Sequence, residues 1–126
     1  MIKMTLTSPA AAPAIGPYSP ALQAEGFVFF SGQVPLDADG AVVGETAAEQ
    51  ARQALANLHH LLQTGAMTSH AIVKTTIFLT DMNDFAAVNE VYAEFFEQPY
   101  PARSTVQVAA LPKGVKVEIE AIAVRE

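Results

Sequence analysis

The sequence predicts an α+β fold: a mostly antiparallel six-stranded sheet with two helices packed on one face. Three observations predict it. In the last run, Val115, Val117, Ile119, Ala121 and Ala123 share one face of a period-2 pattern, and Lys116, Glu118, Glu120, Ile122 and Val124 share the other. One face is therefore wholly apolar and covers a core. Thr46-Ala47-Ala48-Glu49 is a capping box followed by apolar residues at helical spacing. The elements run strand, strand, strand, helix, strand, helix, strand, strand, an order that suits layers of sheet and helix.

Ile2 to Leu6 reads as a first strand. Pro9, Pro13, Pro17 and Pro20 make the stretch from Ser8 a loop. Within it Tyr18 stands between prolines that restrict its backbone, which presents a phenol at fixed geometry; taken by itself the ring reads as packing. Ala21 to Ala24 and Phe27 to Ser31 form a hairpin around Glu25-Gly26, and the second strand is continuously apolar and so expected to be buried. Ser31-Gly32 closes it, and read alone Ser31 is a turn residue with no general base at nucleophile spacing. Asp37-Ala38-Asp39-Gly40 is a polar turn that lacks the remaining ligands of a calcium loop.

The first helix carries Ala51, Leu55, Leu58 and Leu62 and stops at Gly65. His59 and His60 point about 100° apart on it, so they do not form an i, i+4 metal pair. His70 lies alone before the next strand, without partner signals. Ile72 to Thr80 is a β-branched central strand, with Lys74 and Thr76 on one face and Val73, Thr75, Ile77 and Leu79 on the other. Asp81 to Asp84 offers N-caps to a second helix striped by Phe85, Val88, Tyr92 and Phe96. Asn89 falls within that stripe, so its amide is either buried with partners or lines a polar cavity. Gln98-Pro99-Tyr100-Pro101 breaks the helix. Arg103 to Gln107, the turn at Leu111-Pro112-Lys113-Gly114 and Val115 to Val124 then read as a hairpin, across which Arg103 and a glutamate meet.

The chain has 126 residues, which suits a single domain over 1–126. Hydrophobic residues make up 51% and charged ones 16%, below the roughly 25% charged usage of soluble domains, so apolar surface is expected to meet another subunit. Seven basic and thirteen acidic residues give a net charge of -6, and the basic ones form no run. That argues against a nucleic-acid partner. The absence of cysteine removes disulfides, thiolate metal sites and a thiol nucleophile. No segment approaches about 18 uninterrupted apolar residues and no apolar leader precedes the prolines, so the expectation is cytoplasmic residence without a membrane partner.

Pro101-Ala102-Arg103-Ser104-Thr105-Val106, Leu111-Pro112-Lys113 and Val117-Glu118-Ile119-Glu120-Ala121-Ile122-Ala123-Val124 resemble the signature of the Rid/YjgF family of enamine/imine deaminases. Ile15 to Pro20, Ser31 to Pro35, Lys74 to Leu79 and Asn83 to Asn89 fall where that family has its other motifs, so the resemblance covers nearly all of the chain. It implies a chorismate-mutase-like fold and a homotrimer whose sheets enclose a central barrel, with clefts between adjacent subunits. It also implies cofactor-free hydrolysis of 2-aminoacrylate, 2-aminocrotonate and the tautomeric 2-iminopropanoate and 2-iminobutanoate to 2-keto acids and ammonia.

By the same resemblance Arg103 anchors the substrate carboxylate, a role that suits a planar guanidinium fork; the alternative is an ion pair with Glu118 or Glu120, and the two coexist if a substrate carboxylate takes one edge of the guanidinium. Glu118 is the candidate for water and proton handling. Tyr18, Ser31, Gly32 and Asn89 shape the pocket. Thr105 departs from the pattern, because many relatives have cysteine there; its hydroxyl still holds water, while thiol-dependent activities fall into doubt. No metal ligand is expected. Two other classes stay open: a ribonuclease or translation inhibitor, against which the charge argues, and a non-catalytic ligand-binding or chaperone-like trimer.

Overall fold

The alternating C-terminal run folds into the strand around which the sheet is assembled. The structure is a computed structural model and describes residues 1–125. Its strands are β1 Lys3–Leu6, β2 Ala21–Ala24, β3 Phe27–Gln33, β4 Ile72–Leu79, β5 Ala102–Gln107 and β6 Val117–Val124, with helices α1 Ala47–Thr64 and α2 Phe85–Phe95. They form one six-stranded sheet in the order β1-β2-β3-β6-β4-β5. Neighbours are antiparallel except for β4 and β5, which run parallel, so the sheet is mixed.

The expected hairpin of β5 and β6 does not form. β5 pairs with β4 through Thr75↔Arg103 and Ile77↔Thr105, while β6 inserts between β3 and β4. The physical reason lies in α2, which makes β4-α2-β5 a crossover unit with parallel strands. Pro112–Gly114 is a 3-10 turn with Lys113 at φ 56°, inside a connection that carries the chain back past β4. Arg103 and Glu118 are therefore not cross-strand neighbours, and Glu118 lies opposite Phe78.

Both helices cover one face. Val117, Ile119, Ala121 and Ala123 are buried beneath the Leu55, Leu58 and Leu62 stripe of α1. The capping box is present: Thr46 Oγ1 accepts from the Glu49 amide at 3.2 Å, and Glu49 Oε1 accepts from the Thr46 amide at 3.0 Å, an arrangement that stabilises by about 1 kcal/mol. Asn57, wholly buried, donates to the carbonyls of Val34 at 3.0 Å and Leu36 at 2.9 Å, tying the loop after β3 to α1.

The other face is uncovered, and two expectations change with it. β3 is not continuously buried: Val28 and Phe30 face the helices, whereas Phe27 and Phe29 are 47% and 45% exposed. Val73 is also exposed rather than aligned with Thr75, because the β4–β6 register shifts between Ile72 and Lys74. His70 is not alone; its Nε2 lies 3.2 Å from Glu97 at the surface. No helix among the described residues is long and apolar enough to cross a membrane.

Candidate active site

The predicted site residues form two groups on opposite faces of the sheet. The first is built on the helix face. Arg103 is the Cα partner of Thr75, whose buried hydroxyl reaches Tyr92 of α2; the parity of β5 thus directs Arg103 toward α2. Its Nη1 donates to Asn89 Oδ1 at 2.7 Å. The guanidinium carbon lies 4.7 Å from the Tyr92 ring centre and 5.5 Å from that of Phe85. These three residues share one side of α2 at spacings of four and three. Asn89, Tyr92, Ala93, Tyr100, Pro101 and Arg103 line a cavity of about 430 Å³.

Of the two readings open for Asn89, the cavity with Arg103 is the one observed. The expected ion pair of Arg103 with Glu118 or Glu120 is not: the ion pairs among the described residues join Arg52 to Glu94 and His70 to Glu97. Arg103 thus keeps donors for an incoming anion. Thr105 occupies the same face two residues along β5, roughly 7 Å away, and its Oγ1 is a buried atom without a hydrogen-bond partner.

The second group lies on the uncovered face. Glu118 alternates with buried Val117 and Ile119 and is half-buried beside Gly32. The two fit because Gly32 has no side chain: a Cβ built there would overlap Glu118 Oε2 and lie 2.6 Å from Cδ. Ser31 and Gly32 fall in an irregularity of the β3–β6 register between Phe30 and Gln33, which lets the backbone approach β6 closely. Burial pushes the Glu118 carboxyl above its ordinary pKa, and the neighbouring charge of Glu120 pushes in the same direction. This carboxyl is suited to exchanging protons closer to neutrality than an ordinary glutamate.

Ser31 Oγ donates to the Ser19 carbonyl at 2.6 Å, so its oxygen is left as an acceptor. Tyr18 OH accepts from the Ile15 amide at 3.2 Å and keeps its own proton for donation. Its ring is 49% exposed rather than packed in the core. Tyr18, Ser31, Gly32, Lys113, Glu118 and Glu120 border a cavity of about 590 Å³. No group of three or more His, Cys, Asp and Glu among the described residues is arranged to hold a metal ion.

Sequence reasoning placed Phe85 and Tyr92 in the core stripe and missed their contact with Arg103. The signal was their helical phase with Asn89, the polar residue in that stripe.

The two-helix α+β sheet presents an aromatic-backed guanidinium on one face and a carboxyl of raised pKa on the other. The profile of the family described as Endoribonuclease L-PSP matches residues 9–125. The chain belongs to that family, the YjgF/Rid family its motifs resemble. It is 47% identical over 126 residues to a mouse protein named 2-iminobutanoate/2-iminopropanoate deaminase, covering 99% of this chain and 93% of the relative. A Salmonella typhimurium protein of the same name is 46% identical over 124 residues, covering 96% and 97%. The solved structure of E. coli TdcF with bound serine superposes with a TM-score of 0.91 at 43% identity, covering 98% of this chain and 99% of that one.

Proposed function

We propose that this chain is a hydrolytic deaminase of 2-imino acids, converting 2-iminobutanoate, 2-iminopropanoate and their enamine tautomers 2-aminocrotonate and 2-aminoacrylate to 2-keto acids and ammonia. It works without a cofactor, as one domain in a cytoplasmic homotrimer. One observation carries the reading: an arginine with free donors and a raised-pKa glutamate occur in a chain that matches, nearly end to end, relatives named for this reaction. The solved relative that holds serine, itself a carboxylate-bearing molecule, supports the substrate class.

In this mechanism Arg103 takes the substrate carboxylate in a bidentate contact and fixes its plane. Asn89 holds the guanidinium from the side and offers its amide N–H groups to the ligand. An enamine is first protonated at carbon by a hydronium ion from solvent, giving the iminium. Ionised Glu118 removes a proton from water as the C–O bond forms and the C=N π electrons move to nitrogen. Protonated Glu118 then hands a proton to the amine of the carbinolamine. The C–N bond breaks and the carbonyl forms as Glu118 takes the hydroxyl proton, which it passes to the departing ammonia, so ammonium leaves and Glu118 is ionised again. Tyr18 donates a hydrogen bond to the developing oxygen, Ser31 accepts one, and Thr105 holds water.

Arg103 and Glu118 face opposite ways within one chain, which supports a cleft shared by adjacent subunits. The exposed Phe27, Phe29 and Val124 of the uncovered face supply apolar surface for a trimer with a central barrel. A net charge of -6 does not favour ribonuclease activity, since binding RNA is driven by phosphate neutralisation.

The direct test generates 2-aminoacrylate or 2-aminocrotonate enzymatically and follows keto-acid release with and without the protein; equal rates would end the reading. A second test mixes Arg103→Lys and Glu118→Gln subunits after dissociation and reassembly. In a three-fold ring each mixed trimer regains one unaltered cleft, so an equal mixture recovers about a quarter of parental activity. No recovery in verified mixed trimers would place the whole site in one chain.

A further inference from the structure

We infer that Tyr92, fixed by its hydrogen bond to Thr75, is a positioning residue that sets the plane in which Arg103 receives a carboxylate. The inference rests on the reading of Arg103 as the carboxylate anchor. Tyr92 is 5% exposed and Thr75 is 1% exposed, and their hydroxyl oxygens are 2.7 Å apart. Thr75 is also the residue paired with Arg103 in the β4–β5 ladder. A closed circuit results: the Arg103 backbone is registered to Thr75, Thr75 holds the Tyr92 hydroxyl, and the Tyr92 ring lies 4.7 Å from the Arg103 guanidinium. Asn89, three residues before Tyr92, holds Nη1 from the side at 2.7 Å.

Core packing alone does not call for this tyrosine. Its ring is backed by Phe96 at 4.4 Å between centroids, and phenylalanine would fill the same space without burying a hydroxyl. A buried hydroxyl pair contributes little net stability after desolvation. What it adds is direction, since the phenol is held at its far end and the ring face cannot slide under the guanidinium. Arginine has a long, rotatable stem, and a bidentate contact needs its terminal plane fixed to within roughly 10–20°. Phe85 at 5.5 Å adds a second aromatic contact but has no polar atom to lock it.

The test measures affinity for 2-ketobutanoate by calorimetry, together with imine hydrolysis, in Tyr92→Leu, Tyr92→Phe and Thr75→Val. Each is made in the parental chain and in Arg103→Lys, which has no guanidinium plane to set. Removing the ring face in Tyr92→Leu is expected to weaken 2-ketobutanoate about tenfold. Tyr92→Phe keeps the face, and it and Thr75→Val are each expected to cost about threefold. In Arg103→Lys the same three changes should cost clearly less, a coupling that a merely structural role would not produce. Parental affinity in folded Tyr92→Leu, or equal losses in both backgrounds, overturns the inference while leaving the anchor in place. Unchanged affinity in Arg103→Lys alone overturns the anchor reading, and the inference with it. Should Tyr92→Leu fail to fold, Tyr92→Phe and Thr75→Val decide: threefold losses coupled to Arg103 support the inference, and parental affinity in both refutes it.

Discussion

Gly32→Ala isolates the seat of the Glu118 carboxyl with one added methyl group. Its Cβ would lie 2.6 Å from Glu118 Cδ and 2.9 Å from Cγ. Non-bonded carbons settle at about 3.5 Å or more, so the carboxyl must retreat by about 1 Å. The backbone itself accepts the change, because Gly32 is not among the positive-φ glycines, and alanine slightly restricts the unfolded chain. The long glutamate side chain can swing away, so stability should change by less than about 1 kcal/mol. Catalysis should not escape so lightly: displacing a reacting group by about 1 Å lowers rates roughly a hundredfold, equivalent to about 2.7 kcal/mol of transition-state stabilisation. The assay is kcat/KM for enzymatically generated 2-aminocrotonate, with thermal melting as the folding control. In a Glu118→Ala background, where there is no carboxyl to displace, Gly32→Ala should cost less than about threefold. A folded Gly32→Ala chain hydrolysing at the parental rate would show that the carboxyl position seen beside Gly32 is not the one that does the chemistry.

Arg103→Lys keeps the charge but replaces a planar fork with a mobile ammonium, and kcat/KM should fall about ten- to a hundredfold with little change in melting temperature; parental turnover in a folded variant would reduce Arg103 to a structural role. In the proposed mechanism Glu118 acts as a base when ionised, and its pKa is raised from the ordinary value of 4.5, so the acid limb of the kcat/KM profile should lie above pH 4.5 and vanish in Glu118→Gln; a limb that persists in the variant belongs to another group. For folding the sign is opposite to that of an ordinary ion-paired carboxylate. Protonated Glu118 tolerates burial, so its contribution is fully present below the unfolded pKa and lost as pH rises through the raised folded value. Glu118→Gln should therefore flatten any loss of stability across that window in a pH-dependent denaturation series.

What was legible in the sequence was what a strand or helix records about its own two faces. β6 announced its buried side because Val117, Ile119, Ala121 and Ala123 alternate with residues that tolerate water, and the structure buries that side. Asn89 announced itself as a polar group in an apolar stripe, and it lies against Arg103. Tyr92 could not do so, since an aromatic ring in a helical stripe satisfies a core as well as it satisfies a guanidinium. The misreadings share a cause: parity along a strand says nothing about which strand lies beside it. β5 and β6 are neighbours in sequence with turn residues between them, but α2 makes β5 a parallel partner of β4, and the apolar face of β6 is better covered between β3 and β4 beneath α1. That choice of neighbours separates Arg103 from Glu118. With β5 and β6 as a hairpin, an arginine and a glutamate on one face would have neutralised each other; on opposite faces, neither meets the other. Each keeps what an ion pair would have removed: the arginine its free donors, and the glutamate its raised pKa. The topology that defeated the hairpin reading thus leaves both groups unpaired with each other.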